Sequence, residues 1–363
     1  MRPVGFEVTL KSPALLASAP PASNQTETLR FIPGNSVRGI LARRYLDRGH
    51  GAETEEFQRL FLSGEVCYGF AFAEGAEVLP LSARSCKYEP GFRGDGGHGA
   101  VDFLLPGGEA DGRCPHPKCG RPVDYFQGFW LPGQRCEITV HTRLVTRTAI
   151  DPQRGTARAG QLYSQRVLSE GQSFAGTIEA PDDLAPRLVE MLEKGFPAVL
   201  GTGGSRGQGW AEVQGRDAAG AGLAPARARY ERFLARAGKP VLAVTLLTDG
   251  LFRDDYLRES AMPLLRDLAS LKIDPDDWNP RPVRAFMDLR TIFGFDGFPV
   301  RLPRLPRIAV AAGSAFLYEA VAGREPRIPD GEGAGWIGEV NGEGYGRAVL
   351  WHPFHLDPEG ASE

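Results

Sequence analysis

The sequence of 363 residues lacks any apolar run of the roughly 18–20 residues that a helix needs to cross a bilayer. Its first ten residues, MRPVGFEVTL, lack the basic head and long apolar stretch of a secretory signal peptide. No charge dominates, since the formal net charge is −3 and the hydrophobic share of 42% is near the average for globular proteins. These features predict a cytoplasmic, folded protein without a membrane partner, and its length suits two domains.

Lysine is scarce, because only six of the 42 basic residues are lysine and the other 36 are arginine. Arginine binds phosphate bidentately and stacks on bases, but a GC-rich genome replaces lysine with arginine as well. The bias alone therefore leaves nucleic-acid binding and neutral composition both open. On an acidic protein, a surface for a polyanion has to be local.

Cysteine is also rare, and the five cysteines are an odd number confined to the first half of the chain. This pattern argues against a disulfide scaffold and favours a metal site. Cys114 and Cys119 form a C-x4-C pair in CPHPKCG, and the predicted partners are Cys86 and His98, with Cys67 as the alternative to His98. Soft and borderline ligands of this kind suit structural zinc. The motifs of catalytic zinc are missing, and cysteines without any metal remain the other reading.

The first half of the chain has the periodicities of a ferredoxin-like domain. Residues 3–12 alternate as a strand, and FIPGNSVRGILARRYLDR predicts a helix capped by Asn35 or Ser36. A segment without sustained periodicity, about 67–133, indicates an insertion. A strand at 136–147, a hairpin either side of SEGQ, a helix at about 182–195 and a final strand from Trp210 follow. This β-α-β-β-α-β order predicts a ferredoxin-like domain over 1–215.

A second set of elements begins after a linker and short helix at 216–238. PVLAVTLLTDG predicts a buried strand, and GEVNGEGYGRAVLW ends the chain with a glycine loop that leads into another strand. The predicted fold is therefore α+β, with two tandem ferredoxin-like (RRM-like) domains. They cover 1–215 and 239–363, and the first carries the cysteine-bearing insertion.

Two glycine-rich loops, GTGGSRGQGWAEV at Gly201–Val213 and GEGYGRAVLW near the end, each lead into a strand. Rossmann and Walker phosphate loops lead into a helix, and neither loop has the Gly-Lys-Ser/Thr ending. These features argue against a nucleotide-hydrolysing P-loop. Glycine here allows a tight turn, or a close approach to a packed helix or a polynucleotide backbone.

FIPGNSVRGILARRYL, GTGGSRGQGWAEV, and GEGYGRAVLW preceded by LPR at 302–304 together resemble the signature elements of the RAMP superfamily of CRISPR effector proteins. The two-domain plan is similar to the Cas-five-like subunits of type III complexes, particularly the type III-D form. The resemblance implies a non-catalytic subunit that binds the 5′ handle of CRISPR RNA. It also implies that the subunit caps the filament of RAMP subunits and docks on the large polymerase-domain subunit.

The same resemblance assigns RNA contacts to the two loops. Glu343 is a poor neighbour for phosphate, so RNA contact and docking against the first domain both stay open for the second loop. The candidate residues are Gly203, Ser205, Arg206, Gly207 and Gln208 in the first loop, and Asn341, Glu343, Gly344, Tyr345 and Arg347 in the second.

Three segments carry a local excess of arginine: 135–168, the first predicted helix, and 281–307. Arginines anchor phosphates without reading sequence, and a tyrosine stacks on unpaired bases. Solvated surface arginines, a plain helix cap at Ser36 and core phenylalanines in 281–307 are the structural alternatives. The RNA-binding residues predicted from these segments are Ser36, Arg38, Arg147, Arg154, Arg158, Tyr163 and Arg304.

Three other functions remain open. A CRISPR RNA-processing endoribonuclease of the same superfamily would use a general acid or base near the first helix, where His50 lies. A filament-type RAMP subunit would cleave target RNA with an aspartate, for which Asp47 and Asp151 are available. An adaptor that binds no RNA is the third.

Overall fold

The structure is a computed structural model and describes residues 1–19, 24–106, 112–151, 153–217, 223–296 and 302–359. The fold is mixed α and β, with many short strands and few helices. The chain forms two units. Unit 1 comprises Met1–Gly75, Val140–Ala219 and Thr291–Arg307, and unit 2 comprises Ala76–Thr139, Gly220–Arg290 and Ile308–Glu363.

The segment between the first two parts of unit 1 packs within unit 2. Phe92 stacks on Trp130 with ring centroids 5.7 Å apart, and Trp130 meets Phe354 edge-on at 5.2 Å. The sequence analysis assigned this segment to the first domain as an insertion, because it interrupts the predicted strands and helices of that domain in the sequence. Its aromatic side chains decide where it packs, since their apolar surface is buried with the C-terminal residues of unit 2.

The main sheet of unit 1 is antiparallel, and its last strand in the chain, Trp210–Arg216, lies beside its first. Phe6 and Val8 of the first strand are fully buried, as are Phe174 and Ile178 of its neighbour, so alternate residues form the core face. In spatial order the strands are Phe196–Val199, Trp210–Arg216, Arg2–Leu10, Ser173–Ala180, and then Cys67–Tyr68 with Phe72–Ala73.

Two helices accompany this sheet, Gly34–Asp47 and Ala185–Glu193, and a short third, Glu55–Phe57, continues as a π-helical turn over Gln58–Leu62. The first helix begins earlier than predicted. Pro33 occupies its N-cap position and no side chain caps it, so neither Asn35 nor Ser36 is the cap. Both lie within the first turn.

Unit 1 also contains a long two-stranded ribbon, whose residues come between two strands of the main sheet in the sequence. Thr142–Ile150 pairs antiparallel with Ala157–Leu168, and the short strand Gln25–Thr26 joins the second of them in parallel. The predicted hairpin either side of SEGQ is wrong, because Ser173–Ala180 pairs instead with Arg2–Leu10. The alternating pattern predicted the strands correctly but carried no information on their partners.

The five-stranded sheet of unit 2 has the same spatial strand order as that of unit 1. Val241–Leu246 comes first in the chain among these five strands and is buried along its length. It lies between Arg347–Leu350 and Ala315–Glu319, just as Arg2–Leu10 of unit 1 lies between its last strand and Ser173–Ala180. Ala334–Trp336, which forms a hairpin with the last strand, lies at the edge of the sheet, as Phe196–Val199 does in unit 1. In spatial order the strands are Ala334–Trp336, Arg347–Leu350, Val241–Leu246, Ala315–Glu319 and Arg284–Phe286.

The helices of a ferredoxin-like fold are not repeated in unit 2. The first connection contains the 3₁₀ segments Leu265–Leu271 and Pro275–Asp277, and the connection at 320–333 contains no helix. The α-helix Ala226–Ala237 precedes the first strand of the sheet. Among the described residues, unit 2 therefore repeats the strand order of unit 1 without α-helices between its strands.

The remaining elements are short, and no helix in the described ranges is both long and apolar enough to traverse a membrane. The remaining strands are Glu77–Val78, Ala83–Cys86, Ala100–Asp102, Val123–Tyr125, Phe129–Leu131, Cys136–Ile138, Phe252–Arg253, Glu259–Ser260, Leu289–Ile292, Phe295–Asp296, Leu302–Pro303 and Arg307–Val310. The remaining 3₁₀ turns are Arg93–Asp95, Gly204–Arg206, Asn341–Glu343 and Pro353–His355.

Candidate nucleic-acid interface and metal centre

The two glycine loops occupy equivalent places, each at the tip of the hairpin that ends the sheet of its unit. The first links Phe196–Val199 to Trp210–Arg216, and the second links Ala334–Trp336 to Arg347–Leu350. Each contains a single 3₁₀ turn between two residues in the left-handed region. These residues are Gly203 and Gly207 in the first loop, and Val340 and Gly344 in the second.

The backbone hydrogen bonds of the two loops also correspond. Leu200 N–H donates to the carbonyl of Gly209 at 2.8 Å, and Ile337 N–H donates to the carbonyl of Gly346 at the same distance. In both loops the later glycine N–H then donates to a carbonyl that follows the first strand of the sheet, that of Pro13 for Gly209 and that of Asp249 for Gly346. Chain positions 200–210 therefore match positions 337–347 one for one, and Arg206 corresponds to Glu343.

The last glycine of each loop is required by the turn itself. Gly209 has φ +77° and Gly346 has φ +83°, where residues with a Cβ are strained. A Cβ on Gly209 would also collide with the carbonyl oxygen of Leu200, and one on Gly346 with that of Ile337. These glycines therefore shape the hairpins, whatever the loops bind.

The exposure of the two loops differs. Ser205, Arg206 and Gly207 are exposed at the tip of the first loop, whereas Glu343 and Tyr345 in the second are only 5% and 8% exposed. The phenol ring of Tyr345 is thus not presented for stacking on a base.

Two further predicted contacts have structural surroundings instead. Gln208, in the first loop, is 5% exposed, and its side chain packs against Gly203, so it supports the turn. Arg347, which follows the second loop, places its guanidinium 5.4 Å from the Trp336 ring centroid.

The first loop meets the ribbon through Arg206 and Tyr163. Arg206 Nη1 donates a hydrogen bond to Tyr163 Oη at 3.3 Å. Arg147 lies directly opposite Tyr163 in the antiparallel ladder, so the two side chains share one face of the ribbon. Three residues predicted from two separate sequence segments thereby form one cationic and aromatic group.

The other predicted RNA-binding residues lie apart from this group. Arg154 is exposed at the turn of the ribbon, and the side chain of Arg158 lies outside the described residues. Ser36 and Arg38 are half-buried in the first helical turn. Arg304 donates its backbone N–H to the carbonyl of Gly294 at 2.9 Å, next to the pairing of Phe295–Asp296 with Leu302–Pro303.

The residues proposed for cleavage are all engaged in local contacts. His50 Nε2 lies 2.5 Å from Arg187 Nη2, and its ring packs on Tyr45 at 4.6 Å. Asp47 forms an ion pair with Arg43 at 2.9 Å. Asp151 accepts the backbone N–H groups of residues 153 and 154 and so closes the turn of the ribbon.

The four predicted metal ligands come together in unit 2. Every ligand atom of Cys86, His98, Cys114 and Cys119 lies within 4.8 Å of the others. Cys86 Sγ is 3.8 Å from Cys119 Sγ, and Cys114 Sγ is 3.6 Å from His98 Nδ1. Both distances are below the sum of two zinc–ligand bonds, about 4.3–4.6 Å, so one ion can bridge each pair. Cys67, the alternative, belongs to unit 1 and is absent from the cluster.

Local structure explains the convergence. Cys86 ends the strand Ala83–Cys86, and Cys114 and Cys119 flank a turn closed by the Cys114 N–H to Arg121 carbonyl bond at 2.7 Å. The ring of His116 stacks on His98 at 4.3 Å and so orients a ligand, although it is not itself in the cluster.

The pKa values of Cys86 and Cys114 are shifted in opposite directions. Burial raises the pKa of the Cys86 thiol, but backbone hydrogen bonds at Glu89 and Tyr88, with side-chain hydrogen bonds from His98 and Cys114, outweigh it and lower the pKa to about 6. Burial raises the pKa of Cys114 to about 11. Three cysteine sulfurs and one imidazole nitrogen form a donor set that fits zinc, which binds deprotonated sulfur.

Comparison with known proteins gives structural similarity alone. No family model matches the chain, and no curated protein matches it. Solved structures similar to it include subunits of type III-B Cmr complexes. A chain of Cmr-beta bound to cognate target RNA and AMPPnP is 12% identical, with 86% of both chains covered and a TM-score of 0.43. Cmr4 (Cas7) of Pyrococcus furiosus is 12% identical over 59% of this chain and 99% of its own, with a TM-score of 0.28.

Proposed function

We propose that this protein is a non-catalytic subunit of a type III CRISPR effector complex, in which it binds the 5′ handle of CRISPR RNA and caps the RAMP filament beside the large subunit. Two of the sequence elements that resemble the RAMP superfamily, the glycine loops, lie at structurally equivalent hairpin tips of two units with the same strand order. That equivalence is what a repeated RAMP plan requires.

The observation that carries RNA binding is the group formed by Arg147, Tyr163 and Arg206. Two cationic side chains beside a half-buried tyrosine provide phosphate contacts and an aromatic face on one surface. The first loop presents this group, whereas its counterpart has glutamate in place of Arg206 and is buried. Unit 1 is therefore the RNA-binding unit of the proposal.

The contacts of the side chains that RNA cleavage would need support a binding role instead. His50 and Asp151 are held by Arg187 and by the ribbon turn, and Asp47 is paired with Arg43. A general acid or base has to reach the reacting atom, and these groups already have local partners.

The cluster of Cys86, His98, Cys114 and Cys119 would hold zinc in a structural role. A zinc ion supplies four coordination bonds that fasten together the strand end, the His98 loop and the C-x4-C turn. All four ligands come from the protein, so no position remains for a substrate water.

Binding of 5′-labelled CRISPR RNA by the full-length protein tests the function. We expect binding without cleavage, and we expect Arg206→Ala and Arg147→Ala each to weaken it and to reduce the slope of log K against log salt by about 1. The matched control is Arg258→Ala, an exposed arginine of unit 2 paired with Asp254. Its affinity should equal that of the wild type.

Two results contradict the proposal. Cleavage products would indicate the endoribonuclease, and the absence of binding by a folded protein would indicate the adaptor. Placement in the filament is tested by copurification with the neighbouring effector subunits. Recovery of a complex with several copies of this chain per large subunit contradicts the cap position.

A further inference from the structure

Unit 1 contains a cavity whose lining does not include Arg147, Tyr163 or Arg206. Its volume is about 560 Å³, within the range of roughly 300–1,000 Å³ typical of ligand pockets. One wall is the first helix between Ser36 and Asp47, and the other is the hairpin from Phe196 to Gly201 together with Trp210. The cavity therefore borders the first glycine loop directly.

Aromatic and cationic side chains line this cavity together. Trp210 is 48% exposed, although tryptophan is usually among the more buried residues. The guanidinium of Arg44 lies 4.9 Å from the ring centroid of Phe196 on the opposite wall. An aromatic face beside an arginine is the combination that binds an unpaired base in proteins that bind single-stranded nucleic acids.

Arg44 has a buried hydrogen-bond donor that no described acceptor satisfies. Its Nε is buried and, within the part of the chain that the structure describes, has no hydrogen-bond partner. The neighbouring Arg43 differs, because its Nε is bonded to Asp47, the acidic residue among those lining the cavity. A buried donor without a partner is satisfied when a ligand brings an acceptor.

We propose that this cavity receives one unpaired nucleobase of the bound RNA, which stacks on Trp210 and accepts a hydrogen bond from Arg44. The inference rests on the proposed RNA-binding function and names a subsite of it. Purely apolar peptide side chains have no acceptor for Arg44, whereas every base carries both a π face and acceptor atoms.

The test measures affinity for 5′-labelled CRISPR RNA with full-length variants. We expect Trp210→Ala to weaken binding about tenfold, which is the order of one lost stacking contact, and Trp210→Phe to retain most of the affinity. Tyr256→Ala, at a 79% exposed tyrosine of unit 2, is the control and should bind as the wild type does. A thermal unfolding curve for each variant shows that it is folded.

A second readout does not depend on the alanine variant. Trp130, Trp278 and Trp351 are buried and Trp336 is half-buried, so Trp210 is the tryptophan most able to respond to a stacked base. RNA should quench the intrinsic fluorescence of the wild type and quench that of Trp210→Phe much less. An RNA with an abasic nucleotide at the bound position should lose affinity for the wild type but not for Trp210→Ala.

The outcomes separate the subsite from the function. If Trp210→Ala binds RNA as the wild type does while Arg206→Ala binds weakly, the subsite is wrong and the proposed function stands. If the wild type binds no RNA, both are wrong. If Trp210→Ala retains RNA affinity but loses a copurifying subunit, the cavity is a protein-docking site and the proposal is overturned.

Discussion

His355 and Asp102 form a fully buried pair in unit 2, with His355 Nδ1 3.1 Å from Asp102 Oδ2. His355 Nε2 lies 2.7 Å from Thr245 Oγ1, and Asp102 accepts the hydroxyl of Ser82 at 2.5 Å. The network joins the cysteine-bearing segment, the first strand of the second sheet and the C-terminal turn. It has the connectivity of a Thr-His-Asp triad, but His355 has no exposed surface, so its role is structural.

Replacing Asp102 should destabilise unit 2. Asp102→Ala leaves His355 and Ser82 buried without their partner, and each buried polar group left without a partner costs about 1–3 kcal/mol. Urea unfolding followed by circular dichroism measures the loss. Asp124→Ala, at an exposed aspartate of the same segment, is the control. A midpoint equal to that of the control would show that the pair contributes nothing.

The glycine loops predict a difference between two alanine substitutions in one turn. Gly207 and Gly209 both have positive φ, but a Cβ on Gly207 meets no atom within 4 Å, whereas one on Gly209 collides with a backbone carbonyl. Gly207→Ala should cost about 1–2 kcal/mol from backbone strain alone. Gly209→Ala should cost clearly more in the same thermal unfolding assay. Equal losses would mean that the hairpin relaxes around the added methyl group.

Metal removal should act on unit 2. Elemental analysis of protein without a histidine tag should find stoichiometric zinc, and a chelator should lower the unfolding temperature. Cys119→Ser should abolish both the zinc and the chelator effect, whereas Cys136→Ser, outside the cluster, should preserve them. Protein without metal that is as stable as before would contradict the structural zinc.

His50 distinguishes the binding subunit from the nuclease. His50→Ala removes one of the partners of Arg187, which also pairs with Glu190, and should cost about 1 kcal/mol of stability, which is typical of one lost hydrogen bond. CRISPR RNA affinity should not change. If a wild-type preparation cleaves CRISPR RNA and this variant does not, then His50 is catalytic and the binding role is wrong.

Several features were accessible from local sequence. The strand that begins at Trp210 and the helix at 185–193 follow from periodicity, which depends on neighbouring residues only. The metal cluster was also predictable, because the C-x4-C spacing places two thiols at one turn and few other ligands lie nearby. The exposed Trp210 had no distinguishing signal, since a tryptophan at the start of a strand is usually core.

The sequence by itself predicted the first strand, the strand that begins at Trp210, the first helix, the glycine turns and the candidate metal ligands, since short-range spacing and backbone conformation set them. Only the tertiary structure decided that Ala157–Leu168 pairs with Thr142–Ile150, that the cysteine-bearing segment packs within unit 2, and that Arg206 is exposed while Glu343 is buried. These outcomes depend on contacts between residues distant in the chain. Which apolar faces and polar partners meet is settled by the free energy of burying them together.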